Sequence, residues 1–164
     1  MDRPSDHHEY VQVLGLAGGR RVFRWIRSDH ISGPTNFAAY KVGVPASNGS
    51  GDLGELLSTP LVLGPNVATT QTFITIGSFA TETEAEACLK YVKSKFARTM
   101  LGVLKITQHN PAKVWKYVPL QDFSSNSDID WSKSIPEIDQ QLYAKYQLDA
   151  DEIDFIESHV KPME

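Results

Sequence analysis

Apolar and polar residues alternate with a period near two in the first half of the chain, and the period lengthens to three or four residues past residue 80. The segments Tyr10–Leu16 and Arg20–Ile26, joined by "AGG", predict two strands meeting at a glycine-containing hairpin turn. In "RRVFRWIR" the cations interrupt the alternation, so the pattern sets no register there. Ala38–Val44 reads as a strand with Tyr40, Val42 and Val44 on one face. "PASNGSGDLGELLSTP" is a long loop by its Gly, Ser and Pro content, and a loop of that length in a compact domain is functional or mobile. "PLVLGP" and "TQTFITIGSF" are the next expected strands.

Thr81 to Glu84 form a capping box with acidic charge at the start of a helix. Ala85, Cys88, Leu89, Val92, Phe96, Met100, Val103 and Leu104 then recur at helical steps, which predicts one helix of about six turns. Lys90, Lys93, Lys95, Arg98 and Lys105 fall around its other side, expected to face outward. Beyond the polar loop "TQHNPAK", "VWKYVP" reads as a strand. Ser134 with Glu137 and Pro136 opens a second helix; Asp149 with Glu152 opens a third, striped by Ile153, Ile156 and Val160. The expected class is α+β: a mixed or antiparallel sheet from the N-terminal half packed against one long helix, with a C-terminal helical hairpin. Residues 1–9 read as a polar or disordered tail, and 10–164 as a single domain.

Charge changes this picture. The formal net charge of −4 conceals 13 Lys and Arg against 9 acids in residues 1–120, and 3 against 11 in residues 121–164. Cys88–Leu120 alone carries seven cations and no acid. A second cluster, Arg20, Arg21, Arg24 and Arg27, lies in the N-terminal hairpin. Such cations neutralise phosphates, while Arg matches guanine and Asn or Gln matches adenine at base edges. The candidates for DNA contact are therefore these four arginines with Lys90, Lys93, Lys105, Lys113 and Lys116. Asn48, Ser50, Gln108, His109 and Asn110 are the loop candidates for reading bases. Trp115, Tyr117, Phe123 and Trp131 are expected in the core.

Signals for catalysis are few. The sequence has no Gly-x-Gly-x-x-Gly, no phosphate-binding Gly-Lys-Ser/Thr loop and no Gly-x-Ser-x-Gly turn. No metal site is expected, since paired Cys and spaced His ligands are missing and His7–His8 lie in the polar tail. A nuclease built on Asp128 and Asp130 lacks the further carboxylate and Lys it would need. The single cysteine points to a reducing, cytoplasmic setting, and no apolar run is long enough to span a membrane.

From Tyr10 onward the sequence resembles a known family. "KYVPLQDF", "DIDWSKSI" and "IDQQLY", with the stretch from "YKVGVPASNG" to the end, resemble the C-terminal part of bacterial adenine-specific DNA methyltransferases of type II restriction–modification systems, including forms fused to an endonuclease. The resemblance implies a DNA target-recognition region, itself without catalytic activity. Its partners would be double-stranded DNA and a methyltransferase catalytic domain of the same parent protein, which binds S-adenosylmethionine. The family's Asn-Pro-Pro-Tyr motif is absent: Asn110-Pro111 is followed by Ala112. A recognition region of this kind helps offset the few kcal/mol needed to extrude a base. The acidic C-terminal hairpin, repelled by phosphate, is expected to face solvent or the catalytic part. The alternative is a protein-interaction module whose basic face docks an acidic subunit. On the DNA reading, Gln108→Ala or Asn110→Ala in a complete enzyme relaxes site choice by roughly 1–3 kcal/mol per lost bidentate contact. Methylation of a panel of single-mismatch duplexes measures this, and unchanged discrimination in both variants removes the loop from the reading surface.

Overall fold

A computed structural model describes residues 2–47, 53, 56–104, 109 and 112–163. The fold is α+β, with two three-stranded sheets and four α-helices among the described residues. The first sheet has the order β2-β1-β5, from β1 (Tyr10–Ala17), β2 (Arg20–Arg27) and β5 (Val67–Thr69). β1 pairs antiparallel with β2 and parallel with β5. The second sheet is antiparallel, ordered β4-β3-β6, from β3 (Tyr40–Pro45), β4 (Leu61–Leu63) and β6 (Phe73–Phe79). The hairpin turn at Gly18 and Gly19 has φ of +57° and +74°, which favours glycine at both positions.

Apolar clusters join these elements in sequence. Leu14 of β1, Leu63 of β4 and Phe73 of β6 join the two sheets. Val42 and Val44 point from β3 to the other side, against Cys88, Val92 and Leu101 of the helices. The strand pattern is legible there, but Lys41 between those positions is also buried, at 2% exposure. Its ammonium donates to the carbonyls of Phe37, Ala39 and Gly64 at 3.1–3.2 Å, a full complement for three donors. Burial pulls its pKa below the usual lysine value.

All three expected helix starts are present. Thr81 caps α1 (Glu82–Lys93) reciprocally with Glu84, Ser134 meets Glu137 at α3 (Ile135–Lys145), and Asp149 meets Glu152 at α4 (Ala150–His159). The single long helix is not. It breaks at Ser94, whose ψ of 150° is extended, and resumes as α2 (Lys95–Leu104). The break is held from another helix: Asp139 of α3 accepts the Lys95 and Phe96 amides at 3.0 and 2.9 Å. These are orphan donors of the first turn of α2. The apolar stripe also shifts across the break. Val103 is 62% exposed, while Ala87, Tyr91, Ala97 and Leu101 are buried instead. α1 and α2 lie between two layers, so they bury two faces: one against β3, the other against Trp131, Ile138, Leu142 and Ile156.

"VWKYVP" is also not a strand. Ala112–Tyr117 is a 3-10 helix, and Val114 enters the cluster that includes Leu101. Among the described residues no strand lies beside it to supply ladder bonds.

Asp139 is 2% exposed. Burial raises its pKa, opposed by the two amides it accepts from. Removing the carboxylate strands two buried N–H groups, so Asp139→Ala costs about 2–3 kcal/mol of unfolding free energy. Urea denaturation measures it; a loss below about 0.5 kcal/mol contradicts the role assigned to the cap.

Candidate nucleic-acid interface

The basic block divides into cations that serve the fold and cations that reach the surface. The Lys90 ammonium donates to the carbonyls of Trp131, Ser132 and Lys133 at 2.8, 3.4 and 2.9 Å, which occupies its three donors. Lys95 pairs with Glu157 of α4 and donates to that residue's carbonyl at 3.2 Å. Arg98 is 3% exposed, and its guanidinium donates to the carbonyls of Lys93, Ser94 and Lys161. Burial lowers its pKa to about 10, with Asp139 acting the other way. Lys93 is half-buried and itself engaged. The expectation that Lys90, Lys95 and Arg98 face outward is corrected: Glu157 of α4 and carbonyls of residues 131–133, 93, 94, 157 and 161 hold them. The acidic hairpin packs on these helices through Asp139 and Glu157, while Glu137, Asp149, Asp151, Glu152 and Asp154 face solvent.

Other candidates stay at the surface. Arg20 and Arg24 on β2, and Lys113 and Lys116 in the 3-10 helix, are exposed; Arg24 also makes an interaction of its own. Lys116 lies 5.7 Å from the ring centre of Tyr117, which is exposed rather than in the core. Trp131 is buried as expected, and Phe123 and Trp115 are half-buried against the core. Arg27 pairs with Asp29. Asn48, Ser50, Lys105, Gln108 and Asn110 lie outside the described residues.

One residue from each basic segment, Arg21 and His109, lies near the Pro45–Phe73 end of the second sheet. Arg21 donates to the Ser58 carbonyl at 2.6 Å and lies 5.6 Å from the ring centre of Phe73. Phe73 begins β6 opposite Pro45, the last residue of β3. Two residues on, Ser47 bridges to His109, with Ser47 Oγ 2.9 Å from His109 Nδ1. Arg21 of the hairpin and His109 therefore flank the same strand end.

Sequence reasoning missed the aromatic content of this surface. Phe23 on β2 is exposed and Trp25 half-buried, with Arg3 lying 5.7 Å from the Trp25 ring centre. Their two-residue spacing was the available signal, obscured by Arg24 between them and the arginines on either side. A groove of about 910 Å³ lies elsewhere, between Thr83 and Glu86 of α1 and the segment holding Ser125, Asp128 and Trp131. Its carboxylates do not suit a phosphate backbone. Asp128 pairs there with Lys145 at 2.8 Å, and Asp130 accepts from Ser132, which holds its carboxyl below the usual range. The Cys88 thiol is buried and pushed up to about 12, far from a reactive thiolate. No helix is long and apolar enough among the described residues to cross a membrane.

No family model, curated protein or solved structure matches the chain.

The tail's neutralising role has a pH signature. Partial burial works against the Glu157 carboxylate, but Lys95 and Tyr143 prevail and hold it below the ordinary 4.5. A depressed carboxylate stabilises the fold above that value and loses its contribution as the pH falls through the lower, folded value. Thermal unfolding followed from pH 6 to 3 is therefore steeper in the native chain than in Glu157→Gln. Parallel curves contradict the pairing.

Proposed function

We propose that this chain is a DNA target-recognition module that grips a duplex at the end of the second sheet and acts beside a separate catalytic domain. The observation that carries the reading is the placement of Arg21 of the β1–β2 hairpin and of His109 near the same, Pro45–Phe73, end of β3 and β6. Neither segment contains an acid: Tyr10–Arg27 holds four arginines, and residues 109–116 hold two lysines and a histidine. Of the C-terminal acids, Glu157 and Asp139 are turned toward α2, while Asp149, Asp151, Glu152 and Asp154 of the last helix are exposed. A basic surface thus persists on a chain of net charge −4.

The division of labour follows from these contacts. Exposed Arg20, Arg24, Lys113 and Lys116 neutralise phosphates or meet guanine; His109, with Gln108, Asn110, Asn48 and Ser50 from the loops, supplies hydrogen-bonding groups for base edges. The sequence resemblance supports an adenine-N6 methyltransferase as the parent, with S-adenosylmethionine and the transferred methyl group handled by its catalytic domain. In such a parent the module fixes which adenine is presented for extrusion.

Binding to duplex DNA as a function of salt tests the reading. With about five phosphates neutralised, the logarithm of the association constant falls linearly with the logarithm of salt concentration, with a slope of roughly −4. Absence of binding at low salt, or a slope near zero, overturns it in favour of a protein partner.

A further inference from the structure

We propose that the β1–β2 ribbon itself enters the major groove of duplex DNA, with Arg20 and Arg24 reading base edges from its outward face. This deepens the DNA-recognition reading and rests on it. β2 is an edge strand, and the third strand, β5, pairs with β1 only from Gln12 to Leu14. From Leu16 to Arg21 the ribbon, which includes Arg20, is therefore two-stranded; Arg24 stands opposite Val13, where β5 adjoins β1 on the side away from β2. A Cβ added at Gly18 or Gly19 would meet nothing within 4 Å, so the tip stands clear of the rest of the protein.

The register assigns the faces. Leu14 is fully buried against Leu63 and Phe73, and its cross-strand partner is Phe23. Arg21 and Arg27 share that side by alternation, Arg21 anchored at Ser58 and Arg27 at Asp29, and toward the tip Leu16 and Phe23 on it are exposed. The other face pairs Arg20 with Ala17, Val22 with Gly15, Arg24 with Val13 and Ile26 with Val11. Every residue opposite an outward arginine is thus small and apolar. The Thr70 side chain closes over Gly15, 3.0 Å from where a Cβ would stand. The two exposed arginines therefore share a face whose other residues are apolar, of the kind that packs on thymine methyl groups.

Size and charge select the occupant. Two strands about 4.8 Å apart, with their side chains, match a major groove about 12 Å wide and exceed a minor groove of about 6 Å. The ribbon carries four arginines and no acid, which suits a polyanion. A second copy pairing edge to edge along β2 would set these cations against one another.

The test uses the full chain and a pool of random-sequence duplexes, read by fluorescence anisotropy and by sequencing of the bound fraction. The inference expects displacement by methyl green, a major-groove ligand, and resistance to netropsin, a minor-groove ligand. Arg20→Ala with Arg24→Ala weakens binding tenfold or more. Arg20→Lys with Arg24→Lys keeps the charge without the planar fork; it holds affinity within a few-fold but loses the enriched sequence. If netropsin alone displaces the chain, or if the ribbon variants bind and select like the native chain while Lys113→Ala with Lys116→Ala abolishes binding, the ribbon is not the reading element and the DNA-recognition reading survives. If the native chain binds no duplex, that reading falls and the ribbon proposal falls with it.

Discussion

The carboxylate of Asp139 holding the first two amides of α2 is the contact on which the arrangement of the helical layer turns. The apolar spacing of residues 85–104 alone would continue one rod. Ending α1 at Ser94 and restarting at Lys95 leaves orphan N–H groups in a buried place, and these must find an acceptor. α3 supplies it, and in doing so is brought against α2. Lys95 then reaches Glu157 and Arg98 reaches the Lys161 carbonyl, which ties α4 and the chain end to the same break.

That geometry settles how the uneven charge is used. An uninterrupted basic run beside an acidic C-terminal region looks, along the chain, like two surfaces for two partners. In three dimensions part of each is the other's complement. Lys90 closes the 131–133 turn, Lys95 meets Glu157, and Arg98 is enclosed. Such buried contacts contribute specificity of arrangement as much as stability. Among the described candidates for DNA contact, Arg20 and Arg24 of the hairpin and Lys113 and Lys116 of the 3-10 helix are left exposed. The DNA reading is thereby narrowed to fewer residues and a smaller surface than charge counting suggests.

What was legible in the sequence was local. Thr81, Ser134 and Asp149 mark helix starts because a capping box is closed within four residues. The hairpin at Gly18–Gly19 is legible for the same reason. The break at Ser94 is not, because its acceptor comes from α3. β5 is three residues long and is defined only by its pairing with β1, so no run of its own announces it. "VWKYVP" has strand-like composition, but the pull of Val114 into the core and the lack of a neighbouring strand among the described residues override it. For the candidate site, residue types on the hairpin were legible, whereas the inward turn of Lys90, Lys95 and Arg98 depends on partners 41 to 63 residues away.

Amide hydrogen exchange with and without a saturating duplex tests the central claim most directly, because it reports which segments the DNA covers. The account predicts slowed exchange in residues 10–27 and 109–117, with residues 134–161 unchanged. Slowed exchange confined to α1, α2 and the C-terminal helices would contradict it, since those cations would then have left their internal partners to meet the phosphates.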